Sequence, residues 1–280
     1  MKKAVLFGAG QVGSMVSRLI GSEYIPLCFI DSNQSKLGSV QSGLPVLSSK
    51  DALALNPDVV FICVLDSERA GEMAEILRSL GYTGEIIRPD ALKIFDPRYG
   101  EMRLICSQLN ELKIDGDAAE LGVYRGDFAA GINAALPERT IHLFDTFEGF
   151  SECDVAVERN GKLSKAGIGD FADTSVELVR SRLPHPEKAM FYKGFFPDTF
   201  IKCAAERFAF VSIDADLYAP TAAALPLFWE RLSEGGAIMV HDVISTQFTG
   251  VKKAVDEFCM RERIIYTPVC DLHGSVIIRK

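Results

Sequence analysis

Short apolar runs alternate with helical segments along almost the whole chain, and this alternation constrains the fold more than any other feature. Residues 1–90 contain the apolar runs KAVLFG, IPLCFID and DVVFICV, separated by segments with the period of amphipathic helices. Runs that are apolar throughout, rather than at every second position, are typical of strands buried on both faces. The pattern therefore predicts an α/β protein whose parallel sheets are covered by helices on both sides.

The alternation restarts after a proline-flanked stretch, which predicts two domains. Pro89 and Pro97 bracket a short polar segment, and the second series of strands begins at DAAELGV. We expect a small Rossmann-like, nucleotide-binding-type domain at residues 1–95 and a domain with a seven-stranded doubly wound sheet at residues 96–280. The last two apolar runs, IIYTPV and SVIIRK, are separated only by CDLHG and are expected to pair antiparallel at one sheet edge.

Charge and cysteine content exclude several classes of partner. The chain of 280 residues has a net charge of −8, whereas nucleic acids and anionic membranes favour clustered positive charge. Its seven cysteines are scattered without a C-x-x-C pair, which is typical of reduced cytoplasmic thiols. No signal peptide or membrane span is recognisable. We expect a cytoplasmic protein without nucleic-acid or membrane partners, while a monomer and a homo-oligomer both stay open.

A glycine-rich loop follows the first predicted strand. In GAGQVG, the residues Gly8, Gly10 and Gly13 lie between that strand and a helix, and Asp31 ends the next strand. Such glycines let backbone N–H groups approach a phosphate, and the acid is suited to bind a ribose. The alternative is that the glycines only let the helix pack closely on the sheet. We favour a nucleotide site here, present-day or ancestral.

A second glycine loop, AELGVYRGDFAAG, has a different character. Glu120 ends a strand, Gly122 and Gly126 frame the turn into a helix, and Asp145 ends the following strand. An acid followed by glycines is familiar from S-adenosylmethionine enzymes rather than from dinucleotide enzymes. A carboxylate at Asp145 can accept hydrogen bonds from both hydroxyls of a ribose. The second domain therefore has a cofactor signature of its own.

Two later strands end in charged residues. FVSIDADLY delivers Asp214 and Asp216, and AIMVHDV delivers His241 and Asp242. Burying a carboxylate costs several kcal/mol unless a partner compensates its charge. We therefore expect a positive group at this edge of the sheet.

Residues from about 115 to the C-terminus resemble the macrocin O-methyltransferase family (TylF/MycF-like), metal-dependent enzymes that methylate sugar hydroxyls. The matching stretches occur in order: AELGVYRGDFAA, IHLFDTFEGF, GDFADTSVELV, KGFFPDTF, FVSIDADLYAPTAAAL, GGAIMVHDV and TGVKKAVDEF. The resemblance implies a class I methyltransferase fold for the second domain. Through FIDSNQSKLG and GLPVL, the first domain is similar to small α/β domains at the front of some sugar-modifying enzymes.

The resemblance also implies which residues surround S-adenosylmethionine, the methyl donor. Residues of the second glycine loop would contact its methionine part, namely Glu120, Gly122, Tyr124 and Gly126. Asp145 would bind the ribose, with Thr146 and Phe147 at the mouth of the site. Gly194 and Phe195 would pass near the adenine. Asp173 is either a further donor ligand or, with Thr174, the cap of a helix.

A divalent cation, Mg²⁺ or Mn²⁺, is implied as well, with Asp214, His241 and Asp242 as its ligands. The family usually has two consecutive aspartates where this chain has His241–Asp242, and imidazole is a poor ligand for Mg²⁺. His241 could bind a softer metal, or it could be the general base while the aspartates hold Mg²⁺, or the metal could be weak or absent. Asp216 is a catalytic base, a metal ligand or the cap of the next helix.

Residues 151–172, SECDVAVERNGKLSKAGIGDFA, are polar and lack clear periodicity. A long loop inside a compact domain is usually functional. We therefore expect an active-site lid that orders when cofactor or acceptor binds.

Together these features predict an S-adenosylmethionine-dependent, metal-assisted O-methyltransferase. Its acceptor would be a small molecule, a hydroxyl of a sugar or of a glycosylated metabolite. Two alternatives stay open. One is an NAD(P)-dependent oxidoreductase built on GAGQVG, although no catalytic Lys/Tyr or His/Asp set follows that loop. The other is a non-catalytic nucleotide-binding module.

Overall fold

The computed structural model describes residues 2–20, 24–88, 97–271 and 274–280. The chain divides into two units, residues 1–96 and 97–280. The boundary predicted between residues 95 and 96 lies outside the described residues. Among the described helices, none combines the length and the apolar character needed to cross a bilayer.

The N-terminal unit contains a six-stranded sheet in the order β3-β4-β2-β1-β5-β6. Its elements are β1 (Lys2–Phe7), α1 (Gln11–Leu19), β2 (Tyr24–Ile30), β3 (Val40–Gln41), β4 (Leu44–Leu47), α2 (Ser49–Leu53), β5 (Val59–Ile62), α3 (Ser67–Ser79) and β6 (Glu85–Ile87). All strand pairs are parallel except β3 with β4. The whole of β5 and the last four residues of β1 are buried, as apolar strands in the middle of a covered sheet require.

The C-terminal unit contains a seven-stranded sheet in the order β12-β13-β11-β10-β7-β8-β9. Its elements are α4 (Pro97–Glu111), β7 (Asp117–Leu121), α5 (Asp127–Ala135), β8 (Ile141–Asp145), α6 (Glu152–Gly161), α7 (Val176–Arg182), β9 (Ala189–Lys193), β10 (Phe208–Ile213), α8 (Tyr218–Arg231), β11 (Leu232–Val240), α9 (Thr249–Glu262), β12 (Thr267–Pro268) and β13 (Val276–Arg279). β13 pairs antiparallel with both β11 and β12, and the other strand pairs of this sheet are parallel. The predicted seven-stranded sheet and its antiparallel edge pair are confirmed.

Side chains on the two faces of this sheet enter separate parts of the core. Phe210 of β10 packs into one apolar cluster, whereas Val211 and Ile213 pack into the other. Every residue of β10 is buried. Because both faces are covered, polar side chains of the central strands reach solvent only beyond the strand ends.

The expected long loop at residues 151–172 is wrong for its first half, which forms α6, while the role of this segment as an active-site lid stays a prediction. Ser151 caps this helix by accepting a hydrogen bond from the N–H of Asp154. The buried residues of α6 are Asp154, Val155 and Glu158. Two of these three are acidic, so the buried face of the helix does not appear as an apolar period in the sequence.

Candidate active site

The charged residues that follow the central strands meet at one edge of the second sheet. β10 lies between β7 and β11 and runs parallel to both. Their carboxyl ends therefore share an edge, the side on which open α/β sheets bind ligands. Asp214, His241 and Asp242 lie together there, and each offers a potential ligand atom within 4.8 Å of those of the others.

The Nδ1 atom of His241 lies between two carboxylates. It is 2.9 Å from Oδ1 of Asp214 and 3.3 Å from Oδ2 of Asp242. The side chains of His241 and Asp242 are 11% and 9% exposed. Limited access of water strengthens the electrostatic interaction among the three groups.

Arg98 brings a second positive charge to this cluster, and the sequence analysis did not identify it. This residue of α4 is buried, and its Nη1 donates to Oδ2 of Asp214 at 3.0 Å. Its Nη2 donates to Oγ of Ser212 at 3.4 Å, and its guanidinium carbon lies 3.8 Å from the ring centroid of Phe128. The chain itself therefore provides part of the positive charge that the buried carboxylates require.

Burial and neighbouring charges act in opposite directions on the pKa values of the cluster. Burial would raise the pKa of Asp214, but the charges of His241 and Arg98 and their hydrogen bonds hold it well below its ordinary value. Burial and Arg98 depress the pKa of His241, yet its interactions with Asp214 and Asp242 prevail and raise that pKa to about 10. With no further cation present, Asp214 is ionised and His241 is protonated at neutral pH.

Asp216 and Asp242 form a carboxyl–carboxylate pair. Burial, followed by the charges of Asp214 and Asp242, raises the pKa of Asp216 well above its ordinary value, and its side chain hydrogen-bonds that of Asp242. The pKa of Asp242 is lowered by His241 and Asp216 against the effect of burial. Asp216 therefore binds a proton more strongly than Asp242 does.

The backbone supports a functional role for the aspartate pair and excludes one alternative for Asp216. Both Asp216 and Asp242 have a φ of +58°, a left-handed conformation that is uncommon outside glycine and concentrates at functional sites. Helix α8 begins at Tyr218 with Leu217 at its N-cap. The alternative that Asp216 caps this helix is therefore wrong.

The residues of the cluster fit a divalent cation. Adjacent ligands of an octahedral ion lie about 3.0 Å apart when each is about 2.1 Å from the ion. The separations of 2.9 and 3.3 Å around Nδ1 of His241 agree with that spacing. An imidazole nitrogen combined with carboxylate oxygens suits Mn²⁺, Fe²⁺ or Zn²⁺ better than Mg²⁺.

Glu120, in β7, is a buried acid close to the cluster. It is 1% exposed, and its Oε1 accepts a hydrogen bond from Oγ of Ser212 at 3.3 Å. Its Oε2 has no hydrogen-bond partner in the described part of the chain. Burial raises the pKa of Glu120 well above its ordinary value, although Arg98 opposes the shift. An unpartnered buried oxygen destabilises a fold, and here it fits a ligand that donates a hydrogen bond.

The predicted donor-binding glycines have clear packing roles. Gly122 has a φ of +81°, and a Cβ atom on it would lie 2.0 Å from the carbonyl oxygen of Asp214. Gly126 also has a φ of +81°, and its Cβ would lie 2.7 Å from a side-chain carbon of Val179. The absence of a side chain at Gly122 therefore lets the turn after β7 approach the backbone at Asp214.

Asp145 joins the loops that follow β7 and β8. Its Oδ2 accepts hydrogen bonds from the N–H groups of Val123 and Tyr124 at 2.7 and 2.9 Å. Its Oδ1 accepts one from the N–H of Phe147 at 2.7 Å and one from the hydroxyl of Thr146 at 3.4 Å. The carboxylate predicted to bind a ribose thus also organises the loops around that position.

The predicted position of Phe147 at the mouth of the site is wrong for its side chain. Phe147 is 4% exposed and packs in the hydrophobic core. Its φ of +53° turns the chain so that the N–H faces Asp145 while the ring points inward.

Asp173 contacts the loop that follows β7 rather than capping a helix. Its Oδ1 accepts from the hydroxyl of Tyr124 at 2.8 Å, and its Oδ2 accepts from Nη2 of Arg125 at 2.5 Å. The hydroxyl of Thr174 donates to the carbonyl of Tyr124. Ser175 is the N-cap of α7, so the alternative that Asp173 and Thr174 cap this helix is wrong. The Tyr124–Asp173 contact closes one side of the loop.

Gly194 and Phe195 follow β9. This strand runs parallel to β8, so its carboxyl end lies at the same edge of the sheet. Gly194 has a φ of +137°, and its N–H donates to the carbonyl of Asp145 at 2.9 Å. Phe195 is 37% exposed, so part of its ring is available to a ligand. Their contact with adenine stays a prediction.

The glycine loop of the N-terminal unit is held by hydrogen bonds to side chains that follow the next strand. A Cβ atom on Gly13 would lie 2.1 Å from the carbonyl oxygen of Gly8, so Gly13 is required for packing of the helix on the strand. A Cβ on Gly10 would meet nothing within 4 Å. Asp31 accepts from the N–H of Ala9 at 3.1 Å and from Nζ of Lys36 at 2.9 Å. Nucleotide binding at this loop stays a prediction.

The fold of residues 97–280 is that of the class I O-methyltransferases. Residues 97–280 have the doubly wound sheet of this class, with polar groups gathered at the carboxyl edge. The solved structure of the O-methyltransferase NovP is similar with a TM-score of 0.54 and 24% identity, covering 66% of this chain and 80% of that one. The calicheamicin methyltransferase CalS11 is similar with a TM-score of 0.52 and 18% identity, covering 82% of this chain and 91% of that one.

The sequence profile of the macrocin-O-methyltransferase (TylF) family matches residues 93–279, and the chain belongs to this family. One relative, from Streptomyces olivaceus, is named 8-demethyl-8-(2,3-dimethoxy-alpha-L-rhamnosyl)-tetracenomycin-C 4'-O-methyltransferase and is 31% identical over 141 residues. Another, the mycinamicin III 3''-O-methyltransferase of Micromonospora griseorubida, is 29% identical over 163 residues. The matched stretches cover 46% and 54% of this chain and span 53% and 63% of the two relatives.

Proposed function

We propose that the protein is an S-adenosylmethionine-dependent O-methyltransferase, assisted by a divalent cation, that acts on a hydroxyl of a sugar or glycosylated small molecule. The observation that carries this proposal is the Asp214–His241–Asp242 cluster. The buried Glu120 is connected to it through the hydrogen bonds of Ser212 and Arg98, and its Oε2 has no hydrogen-bond partner among the described residues. Family membership supports the reaction type. The name of one relative specifies an acceptor with a rhamnosyl group, which supports a sugar-bearing acceptor for this chain.

The two bound groups would supply chemistry that the side chains lack. S-adenosylmethionine carries an activated methyl group, and a divalent cation lowers the pKa of an alcohol that it coordinates. The chain would contribute alignment, because methyl transfer requires the acceptor oxygen in line with the methyl carbon and the sulfur. Asp145 and its hydrogen bonds to the loop N–H groups fix the donor side of that alignment.

Asp214, His241 and Asp242 would hold the cation. With no cation present Nδ1 of His241 carries a proton at neutral pH, so it cannot accept one from an alcohol, whereas a cation could displace that proton from its position between the two carboxylates. This favours His241 as a metal ligand over His241 as a general base. Its imidazole nitrogen also favours Mn²⁺ over Mg²⁺.

Asp216 is the better candidate for accepting the hydroxyl proton. Its raised pKa means that the carboxylate binds a proton strongly once it has become ionised. Compensation of the charges of Asp214 and Asp242 by a cation would lower that pKa and make the ionised form accessible at neutral pH. The role is general base, with the proton received at a carboxylate oxygen of Asp216.

Substitution of Asp214 tests the proposal. We expect Asp214→Ala to lower Mn²⁺-dependent methyl transfer from S-adenosylmethionine to sugar acceptors by at least about 100-fold, since one ligand and the charge next to Arg98 are lost together. Donor affinity, measured by calorimetry, should change by less than about tenfold. A matched control is Asp256→Ala, because Asp256 lies on α9 in an exposed ion pair with Lys252.

Two outcomes would refute parts of the proposal. Full activity of Asp214→Ala in the presence of a chelator would exclude a role for the cation. Binding of NAD(H) without any binding of S-adenosylmethionine would favour the oxidoreductase alternative instead.

A further inference from the structure

A buried arginine divides the two oxygens of Asp214 between different partners. Oδ2 accepts a hydrogen bond from Nη1 of Arg98 at 3.0 Å, whereas Oδ1 lies 2.9 Å from Nδ1 of His241. Only Oδ1 therefore faces the Asp214–His241–Asp242 cluster. The other oxygen is turned towards α4.

The guanidinium group of Arg98 is held from more than one direction. Its Nη2 donates to Oγ of Ser212, and its carbon lies over the ring of Phe128 at 3.8 Å. Arg98 is 7% exposed and Phe128 is 6% exposed. A planar guanidinium fixed in this way presents its N–H groups in one orientation, which a flexible ammonium group does not.

We propose that Arg98 is a positioning residue that restricts Asp214 to monodentate binding and thereby selects small six-coordinate cations over Ca²⁺. This inference rests on the proposed function of the same cluster. Mg²⁺-sized ions require near-octahedral geometry, and one oxygen per carboxylate satisfies it. Ca²⁺ takes six to eight oxygen ligands and readily accepts both oxygens of a carboxylate. With Oδ2 engaged by Arg98, Asp214 has one oxygen to offer.

The orientation of Asp214 matters in addition to its charge. Residues that hydrogen-bond a metal-ligating side chain, on the side away from the metal, typically contribute about 10–100-fold to metal affinity. Removal of Arg98 would free Asp214 to rotate and to present both oxygens. Mn²⁺ would then bind a less ordered site, whereas Ca²⁺ would gain a ligand oxygen.

The test compares the ratio of Ca²⁺ to Mn²⁺ dissociation constants in full-length variants. Calorimetric titration of each ion, together with electron paramagnetic resonance of bound Mn²⁺, reports binding without any dependence on activity. We expect Arg98→Gln to weaken Mn²⁺ binding by about 10–100-fold. The ratio of the Ca²⁺ to the Mn²⁺ dissociation constant should fall by about tenfold or more. Arg98→Lys keeps the charge but lacks the planar fork, so the ratio should narrow in this variant too.

Arg231→Gln is the matched control. Arg231 also lies over a ring, 4.5 Å from the centroid of Phe200, and its Nη1 donates to the carbonyls of Cys203 and Ala205. It contacts no residue of the metal cluster in these hydrogen bonds, so its loss should leave the ratio unchanged. Circular dichroism and S-adenosylmethionine binding establish that each variant is folded.

A wild-type ratio of the two dissociation constants in Arg98→Lys would overturn the inference, whether or not Arg98→Gln changes that ratio. This result differs from a failure of the proposed function, in which wild-type protein would bind neither ion at Asp214. In that case Asp214→Ala would have the same titration curves as the wild type.

Discussion

Glu120 is an acid of the site whose burial is only partly compensated. Its Oε2 lacks a hydrogen-bond partner in the described ranges, and burial raises its pKa well above the ordinary value. Between pH about 4.5 and that raised pKa, the unfolded chain releases a proton that the folded chain retains. Stability therefore falls as the pH rises through this window. Natural proteins accept such costs mainly at functional sites.

Glu120→Gln should therefore stabilise the fold while impairing donor binding. We expect the free energy of unfolding at pH 7.5 to rise by about 1–3 kcal/mol, because glutamine does not ionise in the unfolded chain. The decline in stability between pH 4.5 and pH 7.5 should also become shallower. Chemical denaturation over this pH range measures both effects, and calorimetry measures the loss of S-adenosylmethionine affinity.

Glu158→Gln provides a control of opposite sign. Glu158 is also fully buried, and its Oε2 likewise has no hydrogen-bond partner among the described residues. Its Oε1, however, accepts a hydrogen bond of 2.7 Å from the N–H of Tyr218 at the start of α8, shorter than the 3.3 Å bond between Glu120 and Ser212. Weakening that hydrogen bond should lower the free energy of unfolding by about 1 kcal/mol. A loss of stability in Glu120→Gln similar to that in Glu158→Gln would contradict the account of Glu120.

Residues at strand ends were predictable, and the residue that supports them was not. Asp214 and His241 each end an apolar run, so the topology of a parallel sheet brings them together. Arg98 lies 116 positions before Asp214 in the sequence, near the start of a helix with no charge pattern pointing to a site. The buried carboxylates required a positive partner, and that requirement was the only signal. It does not distinguish a metal ion from an arginine or a protonated histidine.

At the scale of elements, the turn after β7 depends on a close approach to the end of β10. Gly122 has a φ of +81°, and a Cβ atom there would lie 2.0 Å from the carbonyl oxygen of Asp214. The two strands then carry Glu120 opposite Ser212, two residues before Asp214. The glycine required by the packing of the strands is thus also the glycine predicted at the donor site.

Gly122→Ala should disrupt both the fold and the metal site. Strain at positive φ and the backbone clash together should lower the free energy of unfolding by on the order of 3 kcal/mol. Mn²⁺ affinity should fall as well, because the backbone at Asp214 must move. Thermal denaturation and Mn²⁺ titration measure the two effects.

Gly10→Ala is the matched comparison in the other glycine loop. Its Cβ would meet nothing within 4 Å, and the φ of Gly10 is −123°. We expect a change within about 0.5 kcal/mol. A Gly122→Ala protein as stable as Gly10→Ala would show that the turn tolerates a side chain and would refute the packing role.

Element boundaries were predictable where apolar periodicity reported burial. The strands of the second sheet are apolar runs, so the sequence located them, although it did not predict their order in the sheet. Helix α6 was missed because Asp154 and Glu158 occupy its buried face. The start of α7 was misplaced because Asp173 and Ser175 are both good capping residues, and only Ser175 has the N–H of Leu178 within reach.

At the scale of the whole molecule, each unit has its own hydrophobic core, and the active-site residues all belong to residues 97–280. Ligands should therefore stabilise one unit selectively. A ligand at 100 times its Kd adds about 2.7 kcal/mol to the stability of the unit that binds it. The stability of the N-terminal unit should change only if a nucleotide binds to that unit.

The single tryptophan makes this selectivity measurable. Trp229 belongs to α8, in the C-terminal unit, and its ring packs against Phe258 at 5.9 Å. We expect Mn²⁺ with S-adenosylmethionine to raise the unfolding temperature detected by tryptophan fluorescence. A second calorimetric transition, not seen by fluorescence, should stay in place. A shift confined to that second transition would contradict the assignment of the ligands to residues 97–280.

The central claim is that Asp214, His241 and Asp242 hold a divalent cation next to the methyl donor. Anomalous diffraction from crystals grown with Mn²⁺ and S-adenosylmethionine tests it most directly. The account predicts one strong manganese peak about 2.1–2.3 Å from Oδ1 of Asp214, Nδ1 of His241 and a carboxylate oxygen of Asp242, with the donor methyl group directed towards it. Bound donor with no manganese peak among these three side chains would contradict it.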